Sequence, residues 1–209
     1  MRRLMLPALL IGTMVFASSV LAEEKCSECP VTAAMKNLPQ ITYAVGEETT
    51  QCSKTASKLA ESKGVSLVYL VGKEKFSEAG KAKFALLTAT EKFVDNFANP
   101  KVCKVSGTTS IAGQKTECSV TAAKLTGLMT DAMKTVSLTY AVGDEACDCP
   151  HAAASLAKAS GEPKLFVVGK EKTECEVTGR LNLARAKYRA MVEALAKAEK
   201  EAATESKES

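Results

Sequence analysis

The amino-acid sequence predicts an α+β chain: a tandem pair of two-layer units, each in the β-α-β-β-α-β order of the ferredoxin-like split βαβ and each preceded by an extra helix. Another two-layer α/β sandwich is the alternative. Two observations carry the prediction. Sequence blocks recur in the same order, and within each copy the apolar pattern alternates between periods of two and 3.6. Thr42-Tyr43-Ala44-Val45-Gly46 returns 97 positions later as Thr139-Tyr140-Ala141-Val142-Gly143, and Val71-Gly72-Lys73-Glu74-Lys75 returns at the same offset as Val168-Gly169-Lys170-Glu171-Lys172. Val31-Thr32-Ala33-Ala34 returns 89 positions later as Val120-Thr121-Ala122-Ala123, so the second copy holds the longer leading helix. Matched blocks in one order are the signature of an internal duplication.

The elements follow in order. Helices are expected over 31–38 and 120–135. Ile41, Tyr43 and Val45 alternate with Thr42 and Ala44 as in a half-buried strand, and Leu138, Tyr140 and Val142 do the same. Short helices over 53–63 and 150–160 end at Gly64 and Gly161, and Pro150 suits a first helical turn, where its missing N–H is no loss. The apolar runs 65–71 and 165–168 read as central strands, and the Gly-Lys pairs after them as tight turns into short polar strands. A long helix closes each copy, with one stripe of Ala82, Leu86, Ala89, Phe93 and Phe97 and another of Leu181, Ala184, Tyr188, Val192 and Leu195. After Asn99-Pro100, residues 102–105 read as the last strand of copy one, and 109–115 as a hairpin leading into copy two. This gives a leader at 1–22, repeats at 23–107 and 108–200, and a polar flexible tail at 201–209.

The leader has the order of a secretory signal: Arg2-Arg3, an apolar run over 4–20, and Val20-Leu21-Ala22 as cleavage site. Export to a secreted or periplasmic location, with no membrane contact after cleavage, is the expectation. In such a compartment disulfides persist. A net charge of +4, from 28 basic and 24 acidic residues, is too even for a nucleic-acid binder. A single histidine leaves little room for imidazole chemistry, and neither a phosphate-cradling glycine loop nor a G-x-S-x-G elbow is present, so no enzyme activity is expected. Eight cysteines are the compositional outlier.

Cys29 matches Cys118 and Cys52 matches Cys149, while Cys26, Cys103, Cys147 and Cys175 have no counterpart. Cys29, Cys52, Cys118 and Cys149 each precede a predicted helix, where partial positive charge and unpaired N–H groups stabilise a thiolate. Cys147-Asp148-Cys149 is too short to close a comfortable disulfide, but its two thiolates can converge on one soft ion. His151 is either a further ligand or a polar residue of the first helical turn.

The order of Tyr140–Gly143, Cys147-x-Cys149 at a helix start, the 165–168 strand and a second helix resembles the heavy-metal-associated domains, a family that includes periplasmic mercury-binding proteins and copper chaperones. The resemblance covers about 60 residues per copy. It implies a ferredoxin-like fold with Cys147 and Cys149 as metal ligands, and Cys52 alone in copy one. The family's own motif is C-x-x-C.

Three functions compete. The first is capture of copper(I) or zinc by thiolates, with Cys118, Cys147, Cys149 and Cys175 as one site and Cys26, Cys29, Cys52 and Cys103 as a poorer one. The second is a metal-free module stapled by Cys29–Cys52, Cys118–Cys149 and Cys147–Cys175, serving an extracytoplasmic partner. The third is a thiol-disulfide oxidoreductase.

Overall fold

A computed structural model describes residues 29–205. The leader, Cys26 and residues 206–209 lie outside the described part. A short helix α1 (Pro30–Met35) is followed by β1 (Ile41–Val45), β2 (Glu48–Thr50), α2 (Ser53–Lys63), β3 (Leu67–Val71), β4 (Glu74–Phe76) and α3 (Ala79–Ala98). Then come β5 (Lys101–Val102), β6 (Thr109–Ile111), β7 (Gln114–Thr116) and α4 (Ser119–Lys134). The described part closes with β8 (Thr139–Val142), β9 (Glu145–Cys147), α5 (Pro150–Ser160), β10 (Lys164–Val168), β11 (Glu171–Thr173) and α6 (Glu176–Glu205).

Among the described residues, every element apart from α1 and β5 belongs to a hairpin followed by a helix, and this unit occurs five times. The hairpins turn at Gly46, Gly72, Gly113, Gly143 and Gly169, all at positive φ, which glycine adopts without steric cost. Four units pair into two four-stranded antiparallel sheets, ordered β2-β1-β3-β4 and β9-β8-β10-β11. Tyr43 lies opposite Tyr69 in the first and Tyr140 opposite Phe166 in the second. Both ring pairs meet edge to face, at 5.7 and 5.6 Å. A swap of the two hairpins about this central pair leaves each sheet looking the same.

Each sheet therefore carries the order β-β-α-β-β-α, where the sequence suggests β-α-β-β-α-β. The strand missed is the outgoing arm of the first hairpin. Glu48–Thr50 and Glu145–Cys147 each have two exposed residues and one half-buried one, too little apolar alternation to read as a strand. The stretch after Pro100 does not close the first sheet. Its β5 pairs with β6 in a separate sheet, β5-β6-β7. The boundary expected at 107/108 thus runs through the loop between two paired strands. Ala112, in left-handed backbone at φ 52°, ties the two halves again by donating its N–H to the Phe97 carbonyl at 3.0 Å.

The halves also share a core. Leu38, Val94 and Ala98 pack in one cluster with Ile111, Met129, Ala132, Tyr188, Met191 and Leu195. The five apolar positions of the α6 stripe are all buried. On α3 the buried face is rotated toward Leu87, Thr90, Val94 and Ala98, and Phe93 and Phe97 are half-buried, stacked edge to face on Tyr188 at 5.2 and 4.9 Å. Where α6 crosses β10, a Cβ on Gly179 would lie 2.6 Å from the Phe166 Cβ, so only glycine allows that approach. The helix continues to Glu205, into the segment expected as a tail. It is alanine-rich there, and Lys197 and Glu201 stand one turn apart at 3.9 Å. As expected, α4 (16 residues) is longer than α1 (6 residues).

Candidate functional site: helix-capping thiols

The hairpin-helix unit sets the position of each cysteine. Cys29, Cys52, Cys118 and Cys149 are the N-cap residues of α1, α2, α4 and α5, and Cys175 immediately precedes α6. Glu78 takes the same place before α3. In three units the hairpin ends in Thr-x-Cys. There the threonine Oγ1 accepts the cysteine backbone N–H: Thr50 from Cys52 at 3.2 Å, Thr116 from Cys118 at 3.1 Å and Thr173 from Cys175 at 3.2 Å. A second threonine follows three residues after each of these cysteines, giving T-x-C-x-x-T. That is the spacing of a capping box, with sulfur at the cap. The signal for it was present in the sequence as Thr50-x-Cys52-x-x-Thr55, Thr116-x-Cys118-x-x-Thr121 and Thr173-x-Cys175-x-x-Thr178.

This cap makes the thiols more acidic. The Thr55 hydroxyl and N–H lower Cys52, the Thr121 hydroxyl and N–H lower Cys118, and the Thr178 hydroxyl and N–H lower Cys175. For Cys29 the Val31 and Thr32 N–H groups come first. The sulfurs of Cys29, Cys52 and Cys118 make no side-chain cap bond. The donors stand ready for the thiolate, which is how a helix start activates sulfur.

Cys103 lies elsewhere, in the loop between β5 and β6, where its N–H donates to the Thr108 carbonyl at 2.9 Å. The Ser106 hydroxyl, with the Ser106 and Val105 N–H groups, lowers its pKa from 9.0 to about 7. Alkylation of Cys103 by iodoacetamide is expected to reach half its maximal rate near pH 7, ahead of a Ser106→Ala variant, as read by peptide mass spectrometry across pH. The linked effect on folding has a defined sign. Because the folded thiol ionises before the unfolded one, its thiolate favours the fold above about pH 9, and this contribution fades as pH falls through about 7.

The unit containing β9 departs from the pattern. Cys147 takes the place of the cap threonine, two residues before Cys149. It is half-buried and opposite Tyr140 on β8. Two cysteines, two residues apart in the chain, therefore lead into one helix start. His151, exposed on the first turn of α5, does not join them in a three-ligand group.

The larger groupings expected from the sequence are not assembled. All seven described cysteines are free thiols, so neither Cys29–Cys52 nor Cys118–Cys149 is bridged. Among the described residues no three His, Cys, Asp or Glu side chains converge on a point that could hold a metal ion, which applies to the set Cys118, Cys147, Cys149 and Cys175 and to Cys29, Cys52 and Cys103. For copy two the reason is topological. Cys147 ends one edge strand, β9, and Cys175 follows the other, β11. Three strand spacings put them roughly 14 Å apart, twice the Cα separation of about 7 Å that a disulfide spans. Because β8 and β10 are antiparallel, Cys149 and Cys175 also leave the sheet at opposite ends.

No protein-family profile, curated protein or solved structure matches the chain. No helix among the described residues is long and apolar enough to cross a membrane.

Proposed function

We propose that this chain is an exported protein that captures a soft metal ion, copper(I) above all, on the thiol pair Cys147 and Cys149. The observation that carries the reading is the exchange of the cap threonine for Cys147, which sets a second sulfur beside the helix start that Cys149 caps. Two thiolates suit a low-coordinate soft cation, whereas tetrahedral zinc calls for four ligands. The resemblance of Cys147-x-Cys149 at a helix start to the metal motif of heavy-metal-associated domains supports the same reading, and a ferredoxin-like kinship of the two halves, despite the different element order, belongs to this proposal. It rests on a four-stranded antiparallel sheet with two helices in each half. The metal ion is the partner in this reading, and no catalytic role is assigned.

Titration of the reduced mature chain with copper(I) against a chromogenic chelator tests it. One tightly held ion per chain is expected. A purified chain with no titratable thiols and no bound ion would establish the competing reading, a disulfide-stapled module. Saturable binding unchanged in Cys149→Ser would place the site elsewhere.

A further inference from the structure

The duplication produces two related clefts. In the first half, Val71, Glu74, Ala85, Thr88 and Lys92 line a cleft of about 750 Å³ between the β3–β4 turn and α3. Their counterparts 97 positions on, Val168, Glu171, Asn182, Arg185 and Arg189, line a larger cleft of about 1050 Å³ along α6. The groove is the same and its chemistry is not. Asn182 stands where the first half has Ala85, Arg185 where it has Thr88, and Arg189 where it has Lys92.

The second cleft is also walled by the first half, where Met35, Leu38 and Ile41 supply an apolar side. Neither the Arg185 nor the Arg189 guanidinium donates a hydrogen bond or joins an ion pair among the described residues. Arg185 is half-buried and Arg189 follows it by one helical turn, so both guanidinium groups lie on the same side of α6. Glu171 and Glu193 also line the cleft, against Lys170, Arg185 and Arg189, which leaves the lining one positive charge in excess. Guanidinium groups match carboxylate and phosphate oxygens in planar two-point contacts. An apolar wall with a few polar groups at one side is the usual make-up of a small-molecule site.

We infer that this cleft binds an amphiphilic organic anion, its carboxylate or phosphate on Arg185 and Arg189 and its apolar part against Met35, Leu38 and Ile41. This site is separate from the thiols and stands without the metal reading.

Calorimetric titration of the mature chain with decanoate, decyl phosphate and uncharged decanol tests the inference. One decanoate or decyl phosphate per chain is expected, more weakly at high salt, and decanol should bind far less. The two anions distinguish a carboxylate from a phosphate ligand. The double variant Arg185→Gln/Arg189→Gln should lose at least about tenfold in affinity, since charge-assisted hydrogen bonds are removed. Lys92→Gln, in the sister cleft, should change nothing. Arg189→Gln alone, at an exposed position, serves if the double variant melts early, and should weaken binding on its own. Absence of saturable binding for both anions would overturn the site. So would decanol binding as well as decanoate, or binding by a folded arginine variant at the affinity of the original chain.

Discussion

Truncation of Met191 to alanine is expected to destabilise the whole chain by about 2–5 kcal/mol, the range for deleting a large buried aliphatic side chain and leaving its cavity. Met191 has no exposed surface and lies in the cluster that joins Leu38, Val94 and Ala98 of the first half to Ile111, Met129 and Leu195 of the second. The side chains around it come from α3, α4, α6 and the segments beside β1 and β6, so no single element can move in to fill the gap. Urea unfolding should show one transition at a lower midpoint with an unchanged slope. Two transitions, one of them at the original midpoint, would mean that the halves are energetically independent and that the shared cluster contributes little.

Replacement of Cys147 by threonine is the second large effect, and it rests on the metal reading. Threonine restores the motif of the sister units, in which Thr50, Thr116 and Thr173 each accept the N–H of the cysteine two residues on. The Cys147→Thr chain should therefore fold and melt as the original does, or at slightly higher temperature. Its copper(I) affinity should fall by at least about 100-fold, since loss of a mere supporting partner around a metal already costs 10- to 100-fold. Cys52→Ser, in a unit that keeps its threonine, should leave the affinity intact. Equal affinities in the two variants would remove Cys147 from the ligand set.

Much of the fold was legible in the sequence. Gly64 and Gly161 end α2 and α5 at the expected residues, both in left-handed backbone, and the α6 stripe faces the core as its period requires. The strands β2 and β9 were not legible, because arms of three residues with one half-buried side chain bear no apolar period. The seam between the halves was hidden for another reason. Repeated blocks show where a pattern recurs, but not that β5 of one copy pairs with β6 of the next. For the site, the helix-start positions of Cys52, Cys118 and Cys149 could be read from chain order. The separation of Cys147 from Cys175 could not, because their nearness in the chain says nothing about successive hairpins pointing in opposite directions.

The last helix has a consequence for the order of events during synthesis. Leu181 of α6 sits in the cluster around Val71, Ala82 and Leu86, while Tyr188, Met191 and Leu195 sit in the cluster shared with α1, α3 and α4. One C-terminal element thus completes both apolar interiors. A chain emerging N-terminus first holds α3 and α4 with their inner faces uncovered until residues 181–195 appear, because contacts between distant residues cannot form before both partners exist. A chain cut before residue 181 lacks the α6 side chains of both clusters and is expected to aggregate instead of folding.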